Sequence, residues 1–270
     1  GKEMSFTDGL KILQKLAQKD GSLGWTVTLC SGANYFIGNL KPEVAAEIFS
    51  QPTVMGGSGG LLGTAEKVGG AYRINGTWRY ATGAPYLTHF TLNAKIVENG
   101  VEQLNEDGSP KFLSFIVPSE KVSIIYDWNT MGLKASATHS FSIDNALVDE
   151  KYSFIYNQFY QSQSIFKIPF SVFADMTLWV NYLGMAEHFY SEGKKLGKDG
   201  LGPLEEPLKK TNQKVYELAA EIEKSVRENS SVPEFQILEI HQTASRMVKQ
   251  LTAAIIEIYP HLGVAASREG

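Results

Sequence analysis

Aromatic and hydroxyl side chains alternate near the end of residues 69–83, a pattern that could support chemistry on a flat ligand. Trp78, Tyr80 and Thr82 are spaced two residues apart, so on an extended strand all three would point to the same side. The spacing therefore predicts an aromatic strand face that ends in a hydroxyl group beside Gly83. The two aromatic residues are also typical of a protein core, and spacing alone does not separate the two interpretations.

A turn signal divides this stretch into two short runs of β-branched and aromatic residues. Asn75 and Gly76 stand between the runs, and both central residues of a type I′ turn need a positive φ, which asparagine and glycine tolerate best. The dipeptide therefore predicts a β-hairpin with its turn at Asn75–Gly76.

Glycine is concentrated just upstream of the hairpin. Residues 55–63 contain five glycines, without the spacing of a phosphate-binding loop or of a dinucleotide-binding turn. The stretch predicts a loop, which is either a flexible surface segment or a segment whose backbone passes close over a ligand.

The composition is that of an ordinary globular protein. The chain has 270 residues, 43% apolar and 20% charged, and a net charge of −4 without a basic stripe, so no nucleic-acid partner is expected. Cys30 is the single cysteine, no histidine pair has metal-binding spacing, and no apolar run is long enough to span a bilayer. With no signal peptide at its start, the sequence predicts a cytoplasmic protein without a metal site or a membrane partner.

Apolar periodicity predicts helices towards both ends of the chain and strands between them. A wide apolar stripe on residues 165–193 predicts burial on more than one side, against other helices or another subunit. The change of period divides the chain into a helical N-terminal part (1–55), a central antiparallel β domain (56–158) and a C-terminal helical bundle (159–270). Predicted helices cover 8–19, 42–49, 165–193, 208–228 and 233–259, and predicted strands beyond the hairpin cover 90–97, 112–117, 122–126 and 139–148.

With this order of elements, the sequence resembles the acyl-CoA dehydrogenase-like flavoprotein superfamily, whose members place a β domain between two helical domains. Four segments carry the resemblance. Residues 70–78 (GAYRINGTW) are similar to "GGYRVSGRW", 80–83 (YATG) to "FASG", 128–139 (WNTMGLKASATH) to "W-x-T-x-G-L-R-G-T-G-S-H", and 183–186 (LGMA) to "LGIA". The resemblance implies an α+β fold of this type, truncated at both ends, in which residues 1–55 are the remnant of the N-terminal helical domain.

The residues within these motifs resemble those of the flavin-dependent monooxygenase branch of the superfamily. Residues 20–25 (DGSLGW) are similar to its "D-x-S-x-G-W" turn, and His139 follows Thr138 as it does in that branch. The resemblance implies an oxygenase component that takes reduced FMN or FAD from a separate flavin reductase and uses O₂ on a small aromatic or heteroatom substrate. Two alternatives stay open: an acyl-CoA dehydrogenase that oxidises an acyl thioester with FAD, and a catalytically degenerate flavin-binding or structural homologue.

The resemblance also implies roles for individual residues. Residues 80–82 would lie against the isoalloxazine ring with Thr82 at its N5/O4 edge, while Ser136 and Thr138 would lie near the ribityl or phosphate end. Thr82 and His139 are the candidates for catalysis. The implied flavin-binding set is Trp78, Tyr80, Ala81, Thr82, Gly83, Ser136 and Thr138.

The predicted bundle carries further candidates. Lys194, Lys195 and Lys198 stand where the superfamily uses an arginine to bind the flavin phosphate, and the alternative is a solvated helix end. Asp175 is isolated among apolar residues, which predicts either a polar contact or a desolvated carboxylate suited to base catalysis. Because superfamily members associate through this bundle, the resemblance implies a homodimer or homotetramer.

Overall fold

A computed structural model describes residues 4–197, 200–229 and 231–267, and the chain divides into two compact units. A helical unit combines Gly1–Thr28 with Gln163–Gly270, and a sheet unit contains Leu29–Ser162. The predicted division into three domains stays a prediction, since its first range, 1–55, is shared between the two units. Lys198 lies outside the described residues.

Five of the six helices in the described residues agree with the apolar periodicity except at their ends. The helix Gly21–Tyr35 was not predicted, and it begins within the segment 20–25 that the resemblance describes as a turn. The first helix begins at Phe6, because the Ser5 side chain accepts a hydrogen bond from the Asp8 N–H and caps it. None of the described helices is long and apolar enough to cross a membrane. The described residues form α1 (Phe6–Lys19), α2 (Gly21–Tyr35), α3 (Pro42–Ile48), α4 (Phe170–Lys195), α5 (Gly202–Asn229) and α6 (Glu234–Ile258).

Two glycines allow helices of the helical unit to approach α1 closely. A Cβ atom on Gly184 of α4 would lie 2.3 Å from the Gln14 carbonyl oxygen, and one on Gly24 of α2 would lie 2.3 Å from the Ala17 Cα. These distances are shorter than any van der Waals contact, so a larger residue at either position requires the helices to separate.

We expect Gly184→Ala to lower the free energy of unfolding by about 1–3 kcal/mol, the usual cost of overpacking. Gly9→Ala in α1 is the matched control, because a Cβ atom there meets nothing within 4 Å and alanine favours the helix by up to about 1 kcal/mol. Equilibrium unfolding in urea measures both variants. Equal stability of Gly184→Ala and the wild type would contradict the close contact.

The predicted α+β fold class is confirmed, with one sheet in the sheet unit. The prediction that this β domain is antiparallel is wrong for one pair of neighbouring strands, which is parallel and makes the sheet mixed. Its pairs are antiparallel except for the parallel pair formed by β1 and β3, with the strand order β6-β7-β2-β1-β3-β5-β8 and β4 beside β3. The described strands are β1 (Met55–Val68), β2 (Ala71–Ala81), β3 (His89–Glu98), β4 (Val101–Glu102), β5 (Phe112–Pro118), β6 (Ser123–Ile125), β7 (His139–Asp149) and β8 (Ser153–Phe154).

The hairpin turn lies six residues earlier than the sequence predicts. Val68 pairs with Ala71, so Gly69–Gly70 form the turn, and Gly69 supplies a positive φ of 59°. The prediction of a turn at Asn75–Gly76 is wrong, because β2 continues through these residues in register with β1.

The prediction of a loop at residues 55–63 is also wrong, since β1 runs through all five glycines. Here glycine serves close packing: a Cβ atom on Gly63 would lie 2.2 Å from the ring of Trp78, and one on Gly57 would lie 1.9 Å from the Thr91 carbonyl oxygen. Register shifts on either side of Leu61 bend the strand where it pairs with β3.

Trp78 lies at the centre of the apolar core on one face of this sheet. Its side chain is fully buried, stacks on Phe141 with 5.4 Å between ring centroids, and donates its indole N–H to the Asn93 carbonyl oxygen at 2.9 Å. The core interpretation of Trp78 is therefore the one that the structure supports.

Candidate cofactor site

A bulge at the end of β2 changes the direction of the predicted aromatic face. Trp78 pairs with Phe141 and Ala81 pairs with His139, so two residues of β2 lie opposite the single Ser140 of β7. The prediction that Trp78, Tyr80 and Thr82 share one side is wrong, because the bulge leaves the Tyr80 side chain 66% exposed while that of Trp78 is fully buried.

The bulge holds Tyr80 in a conformation that is rare for an aromatic residue. Its φ is +67°, in the left-handed region that side chains with a Cβ atom avoid. Such a conformation costs on the order of 1–3 kcal/mol and persists only where the surrounding structure enforces it, often at a functional site. Tyr80 directly precedes Ala81, Thr82 and Gly83, which belong to the predicted flavin-binding set.

Three hydroxyl groups form a buried chain beside this bulge, and we call Thr82, Thr138 and Ser136 the hydroxyl chain. The Thr82 Oγ1 lies 3.0 Å from the Thr138 Oγ1, which lies 2.8 Å from the Ser136 Oγ. The Gly83 N–H donates to the Ser136 carbonyl oxygen at 2.9 Å, which joins the same two segments through the backbone. Residues predicted for one site from two distant motifs therefore lie together.

The hydroxyl chain has one proton more than its internal bonds use. Three hydroxyl groups carry three protons, and the two bonds between them use two. The third proton is a donor for which the described residues of the chain offer no acceptor. A buried hydroxyl donor of this kind favours a polar acceptor on a ligand.

The remaining residues of the predicted flavin-binding set differ in exposure. Tyr80 is the one whose side chain is exposed; Ala81 and Gly83 are buried beside the hydroxyl chain. The indole of Trp78 packs on Phe141 and Gly63 in the core, and its contact with a flavin stays a prediction.

The segment from 126 to 139 is shaped by Trp128. Its indole N–H donates to the Leu133 carbonyl oxygen and its backbone N–H donates to the His139 Nδ1, each at 3.0 Å. Leu133 and Ala137 have positive φ values of 53° and 44°, so the backbone turns sharply twice within this segment. The sequence motif therefore corresponds to a tightly folded loop that presents Ser136 and Thr138.

His139 is an acceptor in this arrangement. Because its Nδ1 receives the Trp128 N–H, the neutral imidazole carries its proton on Nε2. Asp127 lies 3.9 Å from the same Nδ1 and accepts two hydrogen bonds from Ser140. The bond from the Ser140 side chain has the larger effect and the bond from its backbone N–H the smaller, and together they lower the pKa of the Asp127 carboxyl. A catalytic role for Thr82 or His139 stays a prediction.

Residues 126–128 (YDW) contribute to the site but were absent from the predicted set. Tyr126 is 73% exposed and its ring lies 4.9 Å from that of His139, in an edge-to-face arrangement. Two aromatic residues around an acid, directly before the glycine-containing motif, are the signal that could have identified them.

The candidates in the helical unit have partners of their own. Asp175 contacts the His241 Nδ1 at 3.1 Å, which is the polar contact foreseen for it. Lys194 pairs with Glu205 at 3.6 Å and Lys195 with Glu192 at 2.7 Å, so both lysines lie in ion pairs at an exposed helix end.

A partly buried carboxylate joins α1 to α4. Glu187 accepts a hydrogen bond from the Gln14 amide at 2.9 Å, and the Tyr216 hydroxyl of α5 donates to the Gln14 Oε1. Burial raises the pKa of the Glu187 carboxyl above its ordinary value, although the bond from Gln14 opposes this effect, and burial raises the pKa of Tyr216 to about 12.

We expect Glu187 to make the helical unit less stable as the pH rises. Its pKa is higher in the folded than in the unfolded chain, so the folded state binds the proton more readily, and the free energy of unfolding falls as the pH rises from the unfolded pKa through the folded one. Glu187→Gln should remove this part of the pH dependence, as measured by thermal unfolding between pH 4.5 and 8. Glu221→Gln, at an exposed position of α5, is the control, and an unchanged slope in Glu187→Gln would refute the assignment.

Comparison with known proteins identifies relatives in one group of enzymes. No family model matches the chain. The sequence is 26% identical over 202 residues to an indole-3-acetate monooxygenase of Acinetobacter baumannii, covering 73% of this chain and 49% of that protein. It is 28% identical over 189 residues to an indole-3-acetate monooxygenase of Pseudomonas putida, covering 69% of this chain and 46% of that protein. The chain thus spans about half the length of the curated relatives that it matches.

Solved structures show the same fold over nearly the whole chain. The 3-HSA hydroxylase of Rhodococcus sp. RHA1 matches with a TM-score of 0.86 and 17% identity, covering 97% of this chain and 73% of that one. XiaF of Streptomyces sp., solved with FADH2 and glycerol, matches with a TM-score of 0.84 and 20% identity, covering 100% of this chain and 74% of that one. The chain therefore has the fold of these two proteins, which is the acyl-CoA dehydrogenase-like fold that the sequence motifs imply.

Proposed function

We propose that this chain binds a flavin, FAD or FMN, and belongs to the oxygenase component of a two-component flavin-dependent monooxygenase. The observation that carries the proposal is the hydroxyl chain, which joins the two motifs most similar to the flavin-binding segments of the superfamily. The named activities of the relatives support the reaction class, since the similar proteins are monooxygenases and hydroxylases.

The residues present fit a flavin chemically. The isoalloxazine ring needs hydrogen-bond partners at its polar edge and an aromatic or apolar surface at its face. The hydroxyl chain has an unused donor, and Tyr80 has an exposed aromatic side chain held in place by the bulge. When bound, the reduced flavin would supply the electrons that activate O₂.

In this proposal the protein's residues position the cofactor and limit access of water. The hydroxyl chain would donate to the polar edge of the flavin the one proton that its internal bonds do not use. Phe141 and Trp78 form a rigid apolar layer behind the bulge, so the strained Tyr80 backbone stays in place without a ligand. Such preorganisation lowers the entropic cost of binding.

The proposed substrate is a small aromatic or heteroatom-containing molecule, and the proposed partner is a separate flavin reductase. Among the relatives, one is named an FADH(2)-dependent resorcinol hydroxylase oxygenase component, and others are named oxygenase subunits. These names describe proteins that work with a second component. We further propose that the bundle helices form a homodimer or homotetramer, as the resemblance to the superfamily implies.

Flavin titration tests the proposal. The purified chain is titrated anaerobically with FMN and FAD, each in oxidised and reduced form, and binding is followed by fluorescence and thermal shift. Tighter binding of a reduced flavin than of its oxidised form is the expected result. Retention of oxidised FAD that an acyl-CoA bleaches would instead indicate a dehydrogenase, and failure of every form to bind would indicate a structural homologue.

A further inference from the structure

Two side chains join the ends of the loop from 126 to 139. Asp127 accepts two hydrogen bonds from Ser140, and the His139 Nδ1 accepts one from the Trp128 backbone N–H at 3.0 Å. An imidazole nitrogen accepts such a bond only while it carries no proton. The contact between Trp128 and His139 therefore depends on the protonation state of one side chain.

His139 is coupled directly to the centre of the hydroxyl chain. Thr138 precedes it in sequence, and the His139 N–H donates to the Ala137 carbonyl oxygen at 2.9 Å across a tight three-residue turn. Thr138 is thus held between the turn and the imidazole contact, and its hydroxyl bonds both Thr82 and Ser136. Release of the imidazole contact would free the residue that makes both bonds of the chain.

The surroundings of His139 provide a second acceptor for the protonated ring. The Asp127 Oδ1 lies 3.9 Å from the same Nδ1, and its hydrogen bonds from Ser140 favour the charged carboxylate. Among the residues that the structure describes, the other titratable group in contact with the ring is Tyr126, and the partner of His139 on β2 is the uncharged Ala81. A second proton on His139 would therefore exchange the Trp128 N–H for an ion pair with Asp127.

We propose that His139 is a positioning residue whose unprotonated Nδ1 holds the Trp128 amide and thereby keeps the hydroxyl chain in its flavin-binding arrangement. This inference rests on the proposed function for its effect on affinity, but the contact itself exists without a ligand. Protonation of His139 then releases the Trp128 amide and weakens flavin binding. The role differs from acid–base catalysis, because the histidine acts through Trp128 and Thr138 and transfers no proton to a substrate.

Three substitutions separate the geometry of the acceptor from the general packing of the ring. In His139→Asn the amide oxygen can occupy the position of Nδ1 and accepts a hydrogen bond at every pH. In His139→Gln the longer side chain carries its amide near the position of Nε2 and leaves the Trp128 N–H without an acceptor. His261→Asn, in the helical unit, is the control for removal of a histidine.

The first measurement is the protection factor of the Trp128 amide in hydrogen exchange between pH 5.5 and 8, which requires no flavin. We expect protection in the wild type to fall about tenfold at the acidic end, protection in His139→Asn to stay level, and protection in His139→Gln to be low throughout. The second measurement is the affinity for reduced flavin over the same range, for which loss of about one hydrogen bond predicts a tenfold change with the same pattern.

Each outcome decides between the proposals. If His139→Asn keeps the pH dependence of the wild type, or His139→Gln protects the Trp128 amide as the wild type does, the positioning role is wrong. If the exchange data follow the expected pattern but no flavin binds, the positioning role stands and the proposed function fails. If flavin binds with an affinity independent of all three substitutions and of pH, the proposed function stands and the coupling to the hydroxyl chain fails.

Discussion

Trp78→Ala is expected to lower the free energy of unfolding by about 3–5 kcal/mol, the range observed when large aromatic side chains are removed from cores. The fully buried indole stacks on Phe141, fills the space left by Gly63, and donates a hydrogen bond to the Asn93 carbonyl oxygen. Its removal leaves a cavity between β1 and β2 that the glycine cannot fill. Equilibrium denaturation in urea, followed by far-UV circular dichroism, measures the loss.

Two further variants define the cause of that loss. Trp78→Phe keeps an aromatic ring against Phe141 but removes the indole N–H, so we expect a smaller loss of about 1–3 kcal/mol. Tyr86→Ala removes an aromatic side chain that is 76% exposed and should change stability by less than about 0.5 kcal/mol. A Trp78→Ala variant as stable as Tyr86→Ala would show that Trp78 does not support the core.

Thr138→Val is expected to weaken flavin binding by about 10- to 100-fold, which corresponds to about 1.4–2.8 kcal/mol. Valine has the shape of threonine but no hydroxyl, so both bonds of the hydroxyl chain are lost and Thr82 and Ser136 keep buried hydroxyls without each other's support. Thr82→Val removes one bond and should have a smaller effect. Titration with reduced FMN and FAD, at a pH where the wild type binds, measures both.

One control for this prediction keeps the hydroxyl group at position 138, and the other makes the same substitution at a different position. Thr138→Ser retains the hydroxyl group and should recover most of the affinity, whereas Thr77→Val, at an exposed position of β2, should leave affinity unchanged. Thermal unfolding shows whether each variant is folded. Wild-type affinity in a folded Thr138→Val variant would remove the hydroxyl chain from the cofactor site.

Five of the described helices could be predicted because their apolar residues repeat at helical spacing over many turns, whereas α2 was missed because its apolar residues lie all round the helix. The start of α4 differs because Pro169 is its cap, so the helix begins at Phe170, five residues after the predicted start. The interval between the predicted helices 165–193 and 208–228 is shorter than expected, because α5 begins at Gly202 and accommodates Pro207 within its first turns. Local signals at helix ends compete with tertiary packing, and the packing decides the boundary.

The strands show why the same method fails for short glycine-rich segments. Asn75–Gly76 satisfies every local requirement of a hairpin turn, yet Gly69–Gly70 satisfies them too. Pairing of β2 with β1 over residues 71–76, and with β7 over residues 71–81, favours the earlier turn. Residues 55–63 form a strand because their missing side chains make room for Trp78 and Thr91. The position of the turn and the strand at 55–63 both depend on contacts with residues distant in sequence, which the periodicity of a single segment does not report.

The site could be predicted as two motifs but not as a geometry. Similarity to flavoprotein segments identified Thr82, Ser136 and Thr138, which the structure brings within hydrogen-bond distance. The bulge at Arg79–Tyr80 could not be seen, because a one-residue insertion in the pairing reverses the side on which every later residue lies. Trp78 precedes the bulge and packs in the core, and its contact with a flavin stays a prediction.

The hydroxyl chain has a further property that follows from its symmetry of donors and acceptors. In each of its two bonds either oxygen can be the donor, so all three hydroxyls can rotate together and reverse the direction of the chain while every heavy atom stays in place. In one direction the Thr82 end offers a proton, and in the other it offers a lone pair. A ligand whose polar edge gains a proton on reduction would thus meet a matching partner in both redox states, without any movement of the backbone.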